Sequence, residues 1–194
     1  GGNADATGLR PAGFASGAIQ TTNDFDSSNS HAYAGVSLYG AELDAGGGEM
    51  VLRGKGTATA NYAMGLRITG NGSTHSTLAG RTIRLEGYGS LQGASSNWGV
   101  SLEATVVTAT DDIYVSGTGG QGPDNADSNQ RGVSVQNVQN GVSTLMTTGP
   151  GVISITGHGG GGAAGGTNGG GSHGVVLANT ISRVIDAGGS VVID

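Results

Sequence analysis

Apolar and variable residues alternate in a recurring frame along this chain. Met50-Val51-Leu52-Arg53 runs into Gly54-Lys55-Gly56, and Ile83-Arg84-Leu85-Glu86 runs into Gly87-Tyr88-Gly89. The frame returns as Ile113-Tyr114-Val115-Ser116-Gly117-Thr118-Gly119 and as Ile153-Ser154-Ile155-Thr156-Gly157-His158-Gly159. Val191-Val192-Ile193-Asp194 carries its first four positions. Apolar residues two apart describe one face of a strand, and the Gly-x-Gly behind them predicts a sharp exit turn. A second strand opens each repeat as Gly, apolar, variable, apolar, at Gly35, Gly65, Gly99, Gly132 and Gly174. Subtracting successive glycine numbers gives spacings of 30, 34, 33 and 42. A weaker apolar segment lies between the two. Leu43, Val106, Met146 and Val184 stand seven positions before the closing strand, whereas the second repeat has Ser76 there and Leu78 two positions later.

Self-similarity at such a period is the signature of a stacked repeat protein. Three short strands per unit predict one coil of a right-handed parallel β-helix, an all-β solenoid of about five to six coils. Coils would stack at about 4.8 Å. A winding of two coils of about 16 residues per repeat is the alternative. Residues 1–30 read as irregular or a degenerate first coil, and 31–194 as repeats at about 31–60, 61–96, 97–128, 129–168 and 169–194. Alternation places Val36/Leu38, Leu66/Ile68, Val100/Leu102, Val133/Val135 and Val175/Leu177 inside, with the paired closing positions, and the residues between them in water. In that register Arg53 and Glu86 are neighbours, worth about 0.2–1 kcal/mol. Length variation gathers after each Gly-x-Gly, where insertions along one edge of a solenoid often bind.

Composition supports a narrow core. Glycine supplies 41 of 194 residues, aromatics 4% and charges 11%. Three prolines and no Gly-X-Y period exclude collagen. A net charge of −6 without a basic cluster argues against nucleic acid and anionic membrane surfaces. Without cysteine there is neither a disulfide framework nor a thiolate metal site. No run approaches the roughly 18 apolar residues of a membrane span.

Candidate chemistry is sparse. Gly119-Gly120-Gln121-Gly122-Pro123-Asp124 matches the first six positions of a calcium-binding nonapeptide, with Asp124 and Asp127 as the candidate carboxylates. Ala126 stands where a large apolar residue belongs and no tandem copy follows, so an ordinary polar loop is the better reading. Carboxylates for glycoside hydrolysis must share one face, and the adjacent Asp111 and Asp112 diverge on a strand. His158 and His173 bracket a Gly-rich loop but lack a third ligand. Thr57-Ala58-Thr59 and Thr108-Ala109-Thr110 fall at different points of the repeat, unlike the ranks of an ice-binding surface. Trp98 and Tyr62, just before opening glycines, and the outward Tyr88 and Tyr114 are candidate ligand-contact aromatics for sugar faces.

The openings Gly-Val-Ser-Leu/Val at Gly35, Gly99 and Gly132, with the closings at Ile83, Ile113 and Ile153, resemble the Gly-rich β-strand repeats of large bacterial exoproteins of the filamentous haemagglutinin and autotransporter adhesin type. The resemblance covers about residues 30–194. It implies secretion to the bacterial cell surface and a rod-like, non-enzymatic role in adhesion, stalk formation or self-assembly, with no cofactor. A carbohydrate-binding or carbohydrate-active β-helix is the alternative. The chain begins at Gly1 without Met, which suggests a processed or excised piece. No polar cap is evident at either end, so the expected partners are further coils of the same chain or identical subunits stacked end to end, with surface glycans next.

Overall fold

The structure, a computed structural model, describes residues 15–16, 33–56, 62–70, 73–91, 96–121, 129–136, 141–160, 172–178 and 183–194. Every regular element among them is a strand. A short β1 (Ala15–Ser16) comes first. The first full coil is β2 (Val36–Tyr39), β3 (Glu42–Asp44) and β4 (Glu49–Lys55). The second is β5 (Leu66–Thr69), β6 (Ser76–Gly80) and β7 (Thr82–Tyr88). The third is β8 (Val100–Glu103), β9 (Thr105–Ala109) and β10 (Ile113–Thr118). The fourth is β11 (Val133–Gln136), β12 (Thr144–Thr147) and β13 (Val152–His158). The fifth is β14 (Val175–Ala178), β15 (Arg183–Ile185) and β16 (Ser190–Ile193).

Like strands of successive coils pair, giving three sheets: an opening sheet β2-β5-β8-β11-β14, a middle sheet β3-β6-β9-β12-β15 and a closing sheet β1-β4-β7-β10-β13-β16. All pairings are parallel, as in a parallel β-helix. Ile113 pairs with Ile83 on one side and Ile153 on the other, so one repeat makes one coil and the 16-residue winding is excluded. Of residues 1–30, Ala15 and Ser16 are described, paired with Gly54 and Lys55. Ladder pairs such as Val100 with Leu66 and Val133, and Ile68 with Leu102, line one continuous apolar core. Val115 and Ile155 are buried, whereas Tyr114 and Ser154 face partly outward, as alternation requires. Arg53 pairs with Glu86, its Nε 3.0 Å from the carboxylate.

Three expectations are corrected. The middle strands do not hold a constant offset from the closing strands. Leu43, Leu78, Val107, Leu145 and Val184 share one inward column, so Val107 and Leu145 are buried rather than the expected Val106 and Met146. The register is pinned at the opposite corner by buried hydroxyls two residues earlier, Ser76, Thr105 and Ser143. Ser76 Oγ donates to the Thr69 carbonyl at 2.7 Å and accepts Ala41 N–H at 3.2 Å. Ser143 Oγ accepts Thr105 N–H at 3.2 Å and lies 3.3 Å from the Leu102 carbonyl oxygen. Each hydroxyl thereby satisfies a backbone group that the bend between sheets would orphan.

The first glycine of Gly-x-Gly is not an exit turn either, because β4, β7, β10 and β13 run through Gly54, Gly87, Gly117 and Gly157. None of these has a positive φ. They are needed for space: a Cβ on Gly87 would collide with the Gly99 carbonyl, and one on Gly117 with that of Gly132. Closing and opening strands meet there backbone to backbone. Lastly, the outer face of the opening sheet is not in water. Arg67, Ser101 and Ser134, in register between inward residues, are all buried.

Candidate functional site

That covered outer face is a polar shelf two residues wide. One row carries Ser37, Arg67, Ser101 and Ser134 on adjacent strands, and the next carries Tyr39, Thr69, Glu103 and Gln136. Strand alternation puts these side chains on the face opposite Leu66, Ile68, Val100, Leu102, Val133 and Val135. At the centre the Glu103 carboxylate accepts from Ser101 Oγ at 3.0 Å, Gln136 Nε2 at 3.0 Å and Thr69 Oγ1 at 3.3 Å. Arg67 Nη2 lies 3.5 Å from it in a buried ion pair. The rest of the Arg67 head is unsatisfied: Nε and Nη1 are buried with no hydrogen-bond partner.

A stack of residues immediately preceding the opening glycines borders the shelf. Ala34, Met64 and Trp98 form a small apolar cluster, separate from the main core. The backbone ladder continues through it, Gly35 N–H donating to the Met64 carbonyl, Gly65 to Trp98 and Gly99 to Arg131. Arg131 takes the next place, its guanidinium 4.7 Å from the Trp98 ring centroid. From there its Nη1 donates to Ser134 Oγ at 3.0 Å, and its Nε to Asn129 Oδ1 at 2.8 Å. Burial pulls the Arg131 guanidinium below the ordinary arginine range, and the Glu103 charge opposes that shift.

The expected aromatics scatter around this geometry. Trp98 is 6% exposed, covered by Arg131 and donating its indole N–H to the Asn129 carbonyl, so its ring is not presented to solvent. Tyr62 is exposed and adopts φ 62°, the conformation shared by Ser96 at the equivalent place three residues before an opening glycine. Trp98 and Tyr62 are therefore not equivalent positions. Tyr114 lies under the Arg84 guanidinium at 4.2 Å on the closing sheet, and the exposed Tyr88 reaches Glu86 at 3.4 Å. The two faces do not bring the aromatics together.

Asp124 and Asp127, the calcium candidates, and Thr57-Ala58-Thr59 lie outside the described residues. Among the described residues no group of three or more His, Asp or Glu side chains is placed to hold a metal ion. Asp111 and Asp112 sit just before β10 and serve different partners, Arg81 at 3.2 Å and the Val152 N–H at 2.9 Å. His158 and His173 are both exposed. Sequence reasoning missed the shelf because a charged residue at an outward strand position reads as solvated. The available signal was opposite charges on adjacent repeats, Arg67 in the row of the neutral Ser37, Ser101 and Ser134 and Glu103 two residues further along the next strand.

No protein-family model matches this sequence, and no curated protein or solved structure does so either.

Proposed function

We propose that this chain is a structural repeat module of a secreted bacterial surface or filament-forming protein, working as a spacer, stalk or self-assembling rod. The supporting observation is the set of exposed apolar ladder positions on the fifth coil. There β14, β15 and β16 are the edge strands of their sheets, and Leu177, Ile185, Val191 and Ile193 are 40–48% exposed although each continues a ladder. An exposed apolar edge strand is a template for further strands. Further coils of the same chain, or identical subunits in head-to-tail register, would cover it; the latter contact does not close and would build a fibre. Light scattering with size-exclusion chromatography over a dilution series tests this. Axial association that grows with concentration is expected, and a strict monomer at high concentration would refute self-assembly.

A carbohydrate-binding or carbohydrate-active β-helix is the second reading, supported by the exposed rings of Tyr62 and Tyr88 and tested on a glycan array.

A further inference from the structure

We propose that the fifth coil binds the first coil of a second copy, in one fixed register that continues all three sheets. This rests on the self-assembly reading and adds to it the partner surface and the residue pairing. Each column of residues runs through all five coils, so the ladders dictate what one further step brings together. The inward columns would set Leu38 over Leu177 and Leu52 over Ile193, apolar on apolar. Any coil of the chain would satisfy that pattern, so the outward columns must choose. Arg183 stands in one column with Thr144, Val106, Thr77 and Glu42. Asp194, whose backbone continues the ladder beside Thr156, stands in another with Ser116, Glu86 and Arg53. Among the five coils the first alone offers both an acid to Arg183 and a base to Asp194, and all four residues are exposed. A second-coil partner would instead set Glu86 against Asp194, acid on acid. The same step sets Val192 beside Val51, outward valines that are 50% and 45% exposed. β1 lies outside the contact: it pairs with Gly54 and Lys55, whereas the incoming Ser190–Asp194 aligns with Glu49–Arg53. Exposed ion pairs add little affinity and fix the register, while the apolar columns supply the driving force. The column Glu86, Arg53, Asp194 then alternates in charge across the joint, with Arg53 between two carboxylates.

Disulfide trapping in the whole chain tests the register, since the sequence contains no cysteine. Val51→Cys and Val192→Cys, both at exposed positions, are oxidised separately and as an equal mixture. Within one copy the two positions are four coils apart, about 19 Å, beyond the reach of a disulfide. Across the proposed contact they are neighbouring strand residues about 4.8 Å apart, within reach. The mixed disulfide between the two variants should predominate on a non-reducing gel. An excess of homodisulfides at position 192 would mean tail-to-tail contact and overturns the proposal. Association in the dilution series without any mixed disulfide overturns the register alone and leaves self-assembly standing. A strict monomer without cross-link removes both. Arg183→Glu should weaken association roughly fivefold, and adding Glu42→Arg should restore it; equal behaviour of the single and double variants overturns the charge pairing.

Discussion

Replacing Gly87 by Ala tests why this chain is so rich in glycine. Gly87 lies within β7 at ordinary φ, so the backbone itself admits alanine. In an uncrowded place the change would stabilise by about 0.4–1 kcal/mol, through reduced freedom of the unfolded chain. The corner is crowded, however. The new Cβ would run into the carbonyl of Gly99 and stand 2.9 Å from Val100 Cγ2. The Gly99 peptide has little room to yield, since its N–H donates to Arg131 and its carbonyl accepts Leu66 N–H at 2.9 Å. Overpacking costs about 1–3 kcal/mol, which outweighs the entropic gain and leaves a net loss of about 1–2 kcal/mol. The sign separates the two explanations. Urea unfolding reports it through the fluorescence of Trp98, the single tryptophan, which sits beside Gly99. Far-UV circular dichroism must give a coincident transition, because a solenoid can unfold by parts. Ser116→Ala, on the exposed face of β10, should stay within about 0.5 kcal/mol of wild type. A Gly87→Ala protein as stable as wild type, or more so, would refute the space argument and return the glycines to a role in turns.

Val115→Asp places a charge in the dry core and should cost about 3 kcal/mol or more, whereas Ser116→Asp should cost under about 1 kcal/mol; equal midpoint shifts on thermal unfolding would contradict the register. Ser143→Ala removes the acceptor of the buried Thr105 N–H and should destabilise by about 1–3 kcal/mol. A silent Ser143→Ala in denaturant titration would mean that the hydroxyl corner does not hold the middle strands in register. Burial raises the Tyr88 phenol above the ordinary tyrosine value, with the charge and hydrogen bond of Glu86 adding to it and Arg53 opposing. A raised pKa stabilises the fold below the unfolded tyrosine value of about 10, and that contribution is lost as pH rises through the folded value. The difference in phenolate absorbance between wild type and Tyr88→Phe should therefore have its midpoint above that of free tyrosine, and a midpoint at or below it counts against this environment.

The repeat frame was legible because strand geometry writes itself into sequence with a period of two. Ile83, Ile113 and Ile153, each followed two residues later by Leu85, Val115 and Ile155, identify the closing sheet, whereas the choice of one coil per repeat over two came from the pairing of Ile113 with Ile83 and Ile153. The Arg53–Glu86 pair follows from the same register. Where no period exists, tertiary structure decided. The corner between middle and closing strands varies, with five residues from Leu78 to Ile83 and eight from Leu145 to Ile153, so counting back from the closing strand chose Val106 and Met146 over Val107 and Leu145. The true anchors, Ser76, Thr105 and Ser143, are polar residues whose burial is favourable only because a neighbouring coil brings backbone groups to their hydroxyls. The glycines announced a special backbone, but a close approach between strands and a left-handed turn look alike in sequence. The shelf was hidden for the same reason. Alternation says which way Arg67 and Glu103 point, and only the packing of the coils decides whether that side meets water or is covered.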